Sequence, residues 1–255
     1  MNNKSKPVVE PKPVVVPAKW GLPYAEEPTQ PEQSYIIAIA VVTILAWQTD
    51  IGTLALMPFT MLATWYHEMG HGLAAIFLGA HFEQLVISAD GSGYAQFSSA
   101  DNLWGLERAL VAAAGFFGST AAGCALIIAS RRKLATQLAL AALGAALLIT
   151  TLIWVRSLTG WIILPAFGMA AIWIAFSRRR KLQRFAVEFL GVQGAISVWQ
   201  DLDYMFSDSA AHAGSDTGKI ADVLLLPHWF WGGAISIGVI ALVWWSLNYA
   251  SKIDA

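Results

Sequence analysis

Charge and sulfur are what this sequence has least of. Only 13% of its residues are Asp, Glu, Lys or Arg, against about 25% in an ordinary soluble domain. So few charges cannot cover a water-facing surface. The net charge of −1 and pI near 6.5 leave no basic field, which argues against a nucleic-acid partner. Cys124 is the single cysteine, so an internal disulfide and a multi-cysteine metal site are both excluded. In its apolar run it reads as a small core residue. A continuous apolar stretch directly after Met1 is also missing, and no cleaved signal is expected. Residues 1–33 instead carry prolines, lysines and glutamates around VVEPKPVVVP, the composition of a disordered or polyproline-like tail.

What is present is hydrocarbon. With 56% hydrophobic residues and a mean hydropathy of +0.55 over 255 residues, the remainder (34–250) reads as an all-α polytopic membrane domain. Apolar segments run from Ser34 to Trp47 (short for a span and interrupted by Gln48-Thr49-Asp50), Ile51 to Leu78, Ala109 to Ala129, Leu134 to Trp154 and Leu158 to Phe176. Phe185 to Trp199, an amphipathic piece from Ile220 to Leu226, and Trp229 to Leu247 complete a count of six or seven transmembrane helices. Gly115, Ser119 and Gly123 form a small-residue face suited to close helix packing. Trp20, Trp47, Trp104, Trp154, Trp161, Trp199 and Trp229 fall near segment ends, as in an interfacial aromatic belt.

Inside the second apolar segment stand His67-Glu68-Met69-Gly70-His71. On a helix, residues four apart share a face, so both imidazoles can ligate one zinc ion with Glu68 beside them as general base. Ionisable groups are costly in a bilayer and usually line a bundle interior or wet cavity where they serve function. Gly70 and Gly72 strip bulk from the same helix, which lets another element approach. Catalytic zinc takes three protein ligands and keeps a position for water, whose pKa it lowers to about 7. The third ligand must come from elsewhere. His81 lies too close along the chain, His212 falls in a polar loop and His228 opens the last span, which leaves Asp201, Asp203 and Asp216.

Between these regions, Leu85 to Ser88, Asp90-Gly91-Ser92-Gly93 and Tyr94 to Phe97 carry the signature of a β-hairpin. It reads equally as an interfacial connecting loop or as an exposed strand edge that holds an extended substrate. The basic clusters at 131–133 and 178–181 are separated by two spans and share one side, cytoplasmic by the positive-inside rule. Loop 79–108 and the acidic stretch 201–216 then share the other side.

HEMGHGLAAIFLGA resembles the HExxH helix of site-2-protease-like intramembrane zinc metallopeptidases, in particular their M50B-like branch. The resemblance extends to ISADGSGYAQF, AAGFFGS and SDTGKIADVLLLPHWFWG, and covers the chain from about Tyr35 to Leu247. It implies a Zn2+-dependent endopeptidase that cuts a membrane-protein or peptide substrate within or beside the lipid bilayer, its site opening to the cytosol. It also implies that His67 and His71 are zinc ligands and Glu68 the catalytic glutamate. The leucine-aspartate-glycine motif of the better-known members is missing. Ser215-Asp216-Thr217 resembles the serine-aspartate-alanine element of the M50B-like branch and makes Asp216 the expected third ligand; Asp203 resembles an aspartate upstream of it. Two other functions compete: an inactive zinc-binding scaffold that sequesters membrane partners, and a metal transporter, for which the other helices offer no ladder of polar ligands.

Overall fold

The structure, a computed structural model, describes residues 33–98, 105–207 and 215–253. The N-terminal tail, Trp20, Trp104 and His212 lie outside the described residues, as does the side chain of Asp203. Helices α1 (Gln33–Trp47) and α2 (Asp50–Phe77) meet at a bend of 117°. The polar residues seen in the sequence make that bend. Gln48 and Thr49 bond back to Leu45 and Ala46, and Thr49 then caps α2 by accepting from the Gly52 amide at 3.1 Å.

After α2, Gly79 adopts φ +89°, a conformation open to glycine, and turns the chain into the expected hairpin. Strands β1 (His81–Ile87) and β2 (Gly93–Ser98) pair antiparallel, with a bulge at Glu83. The hairpin folds back along α2 rather than leaving the bundle. Thr64 donates its hydroxyl hydrogen to the Gly91 carbonyl at the tip, and a side chain at Gly93 would strike Thr64. Leu85 bonds through both backbone groups to the segment after α4 (Lys133–Ile153), donating to the Trp154 carbonyl and accepting from the Arg156 amide. β1 is thus covered on both edges.

Helix α3 (Gly105–Ala129) is central and uses its small residues as expected. Its Gly118 approaches Gly70 of α2, and its Gly123 lies against Gly191 and Ala195 of α6 (Arg180–Ala195). α4 pairs with α5 (Leu158–Phe176) through Gly144 and Gly168. Past Ile196 and Ser197 the chain resumes as α7 (Val198–Phe206); α8 (Asp216–Leu224) and α9 (His228–Ile253) follow.

Among the described residues, α3, α4, α5 and α9 are long and apolar enough to cross a membrane, and the count is five if the bent α1–α2 pair is taken as one span. The sequence pattern counted six or seven. The difference lies in counting α1 and α2 separately and in α6, which runs antiparallel to α3, back from the basic end, but with 16 residues and Arg180, Lys181, Arg184 and Glu188 is shorter and more charged than the other spans. The two basic clusters do lie together, since Arg180 Nη1 donates to the Lys133 carbonyl at 3.4 Å.

Candidate metal centre

The second half of α2 carries the HEMGH residues, and α8 brings Asp216 to them across the fold. Asp216 Oδ2 lies 3.1 Å from His67 Nε2 and 3.0 Å from His71 Nε2, and the two ring nitrogens are 2.9 Å apart. Two donors on a tetrahedral zinc with bonds near 2.1 Å are about 3.3–3.4 Å apart, so this triangle is of a zinc site's size, slightly contracted. α8 starts at Asp216 because Ser215 caps it, accepting from the Gly218 amide at 3.0 Å. Lys219, one turn on, donates to Asp216 Oδ1 at 3.1 Å. One carboxylate oxygen is engaged by the lysine and the other points at the histidines.

The protonation pattern fits a cation. His71 Nδ1 lies 2.7 Å from the Val111 carbonyl, which only accepts, so Nδ1 carries the hydrogen. In the neutral ring, Nε2 then aims a lone pair at a carboxylate oxygen and at a second imidazole. A second proton or a bound cation resolves that conflict. With the second proton, burial pushes the Asp216 carboxyl up, but the His71 charge and the bonds to both histidines outweigh it and hold it well below the ordinary range. In either state Asp216 is an anion. The site is also cradled by an absence of bulk: a Cβ at Gly115 would lie 2.5 Å from His71 Nε2 and 2.6 Å from His67 Nε2.

Glu68, 7% exposed, lines the same cavity of about 850 Å³. Asp201 lines it too, its carboxyl raised to about 6 chiefly by burial. Gly93, Ala95 and Phe97 of β2 form part of the wall. Their backbone direction follows from β1: Leu85 spends both its groups on residues 154–156, so its pair with Ala95 is a non-bonded one. The partners of β1 are then Tyr94 and Gln96, and Gly93, Ala95 and Phe97 turn their N–H and C=O groups outward. Among the described residues, that edge of β2 is unpaired.

Of the residues singled out in the sequence, His67, His71 and Asp216 converge and Glu68 joins them in the cavity. Asp201 shares the cavity but stands outside the donor cluster. Asp203 is on α7, and His81 and His228 begin β1 and α9. Sequence reasoning missed Lys219, the Val111 carbonyl and the Gln200 amide, which donates to Thr60 Oγ1 at 3.0 Å at the cavity wall. Only Lys219 left a readable sign. Taking Ser215 as a cap starts the helix four residues earlier than the apolar pattern does, and places Lys219 one turn from Asp216.

A sequence profile described as Peptidase M50B-like matches residues 36–246. No match was found among curated proteins or among solved structures. With its long apolar helices and with the family matched over that range, the chain is an integral, multi-pass membrane protein that belongs to the Peptidase M50B-like family.

Proposed function

We propose that this protein is an intramembrane zinc endopeptidase in which His67, His71 and Asp216 hold the metal and Glu68 is the general base. The observation that carries this reading is the meeting of three donor atoms, drawn from residues 145 and 149 positions apart, beside a buried glutamate in one cavity. Bound there, a zinc ion would supply Lewis acidity, the means by which the pKa of water falls from 15.7 to about 7. The chain's own groups do the rest. Val111 fixes the tautomer and ring orientation of His71, and Lys219 holds Asp216 with one oxygen directed at the histidines. Glu68 takes the proton of the attacking water and returns it to the leaving amine.

The substrate is a membrane-protein segment drawn out as a strand. The outward amides and carbonyls of Gly93, Ala95 and Phe97 offer it backbone hydrogen bonds along the cavity wall. Gly93 sits against α2 so closely that a Cβ there would come within 3.6 Å of Glu68 Cγ. The edge is therefore registered against the base. This favours the substrate-holding role of the hairpin over that of a plain connecting loop.

Three measurements test this reading. Zinc content of the purified protein should be lost in Asp216→Ala and kept in Asp201→Ala, and Gly115→Ala should weaken zinc affinity about 10–100-fold in chelator competition. Zinc retained in Asp216→Ala would remove Asp216 from the ligand set. Glu68→Ala should lower cleavage of co-expressed membrane substrates by about 10²-fold or more while zinc stays bound; equal cleavage by variant and wild type would leave the scaffold reading standing. Ala95→Pro removes one outward N–H and spares the β1 ladder. It should lower kcat/KM about fivefold, the worth of one hydrogen bond, with zinc content unchanged.

A further inference from the structure

The two ends of α3 lie on opposite sides of the membrane: 25 residues at 1.5 Å each give about 37 Å, more than the hydrocarbon thickness of about 30 Å. Arg131, Arg132 and Lys133 follow its C-terminal end, and the cluster from Arg178 to Lys181 lies beside them through the bond from Arg180 to Lys133. Arg184 is one turn further along α6. α9 runs parallel to α3, with Gly238 against Phe117 and the Leu242 carbonyl against Cys124, so Lys252 in its last turn comes to the same end. Arg108, Arg156 and Lys219 lie at the other end. Arg108 is in the first turn of α3, Arg156 is bonded to Leu85 of the hairpin, and Lys219 is on α8, whose Val223 meets Gly105. Nine of the twelve lysines and arginines among the described residues thus stand at one face of the membrane.

The cavity opens at the other face. Arg108, Lys219 and Asp222, all exposed, line its rim. Gln200, bonded to Thr60, lies at its inner wall. Lysine and arginine in short loops mark the cytoplasmic side. We infer that the catalytic cavity faces away from the cytoplasm and takes membrane-anchored substrates presented from the extracytoplasmic leaflet. Its depth sets where they are cut. Gly115, which backs both histidines, is ten residues along α3 from Gly105, about 15 Å, so the cut bond lies in the outer half of the bilayer and cleavage frees the extracytoplasmic part of the substrate. This sidedness is opposite to the cytosolic opening that the family resemblance implies. The substrate class rests on the peptidase reading; the sidedness does not.

The experiment uses the full chain with Cys124→Ala as background, which leaves no other thiol. Glu83→Cys on the exposed face of β1 and Lys252→Cys near the end of α9 are treated in spheroplasts with a maleimide that cannot cross membranes. Glu83→Cys should label in intact spheroplasts and Lys252→Cys only after permeabilisation; labelling of Lys252→Cys in intact spheroplasts overturns the proposal. A fluorescent protein that matures only in the cytoplasm, fused after Ala255 of the otherwise unaltered chain, gives a second measurement independent of the cysteine variants. Fluorescence supports the proposal and its absence from full-length fusion protein overturns it. Neither readout involves catalysis, so a reversed orientation with cleavage still dependent on Glu68 would refute the sidedness alone. Correct orientation with cleavage indifferent to Glu68 would refute the peptidase reading alone.

Discussion

The site depends on α3 reaching α2 at backbone contact. Lipid supplies no hydrophobic force between helices, so their association rests on close packing and on hydrogen bonds, and glycine is what permits the approach. A side chain at Gly70 would collide with the Ala114 carbonyl of α3, and one at Gly118 would come within 2.9 Å of Gly70 Cα. Because these contacts hold, the Val111 carbonyl comes within 2.7 Å of His71 Nδ1. Gly115 then stands behind both ring nitrogens. One packing interaction therefore fixes the His71 tautomer and clears the space in which a metal fits.

A second constraint comes from backbone polarity. Open strand edges do not survive in hydrocarbon; at membrane depth they occur only inside protein or along a water-filled cavity. The hairpin reaches back to the level of Thr60, 17 residues before the end of α2, about 25 Å along the helix. β1 meets the constraint by pairing on both sides, with β2 and with residues 154–156. β2 meets it by facing the cavity. The polar ladder of Glu83, Gln84 and Gln96 on the exposed hairpin face also requires water there. The same feature that would be a defect in lipid is a binding edge in a wet cavity, and its cost is met by Thr64, Trp154 and Ser157 holding the hairpin in place.

Much of this was legible in the sequence, and the exceptions share a cause. The spans, the hairpin and the break at Gln48-Thr49-Asp50 are local features, written in hydropathy and turn chemistry. Leu158–Phe176 was bounded to the residue for that reason. His67, Glu68 and His71 were readable because helical periodicity links positions four apart. Asp216 needed the family resemblance, since spacing alone left Asp201 and Asp203 equal to it. Partners met through the fold leave no local mark: a backbone carbonyl such as that of Val111 has no side chain to betray it, and the outward phase of β2 depends on Leu85 binding a segment some 70 residues later. The start of α8 was missed because its first turn is polar, so the apolar pattern begins only at Ile220.

Asp216 stands apart from the rest of the centre in what holds it. The histidines are fixed by α2 itself and by its glycine contacts with α3, none of which involves α8. α8 has nine residues, a Ser215 cap and a lysine on its carboxylate, and it packs through Ile220 in one cluster with Ala109, Ala112 and Phe116 of α3 and Ile235 and Val239 of α9, and through Val223 at Gly105. An exposed i,i+3 ion pair of this kind contributes little to stability. A metal shared between α2 and α8 would add its binding free energy to whatever keeps α8 in place, because ligand binding and the ordering of the ligand-bearing segment are one equilibrium. The carboxylate side of the cavity is thus where metal occupancy and local structure are coupled, whereas the histidines sit on α2, which is packed against α3 through Gly70, Gly115 and Gly118.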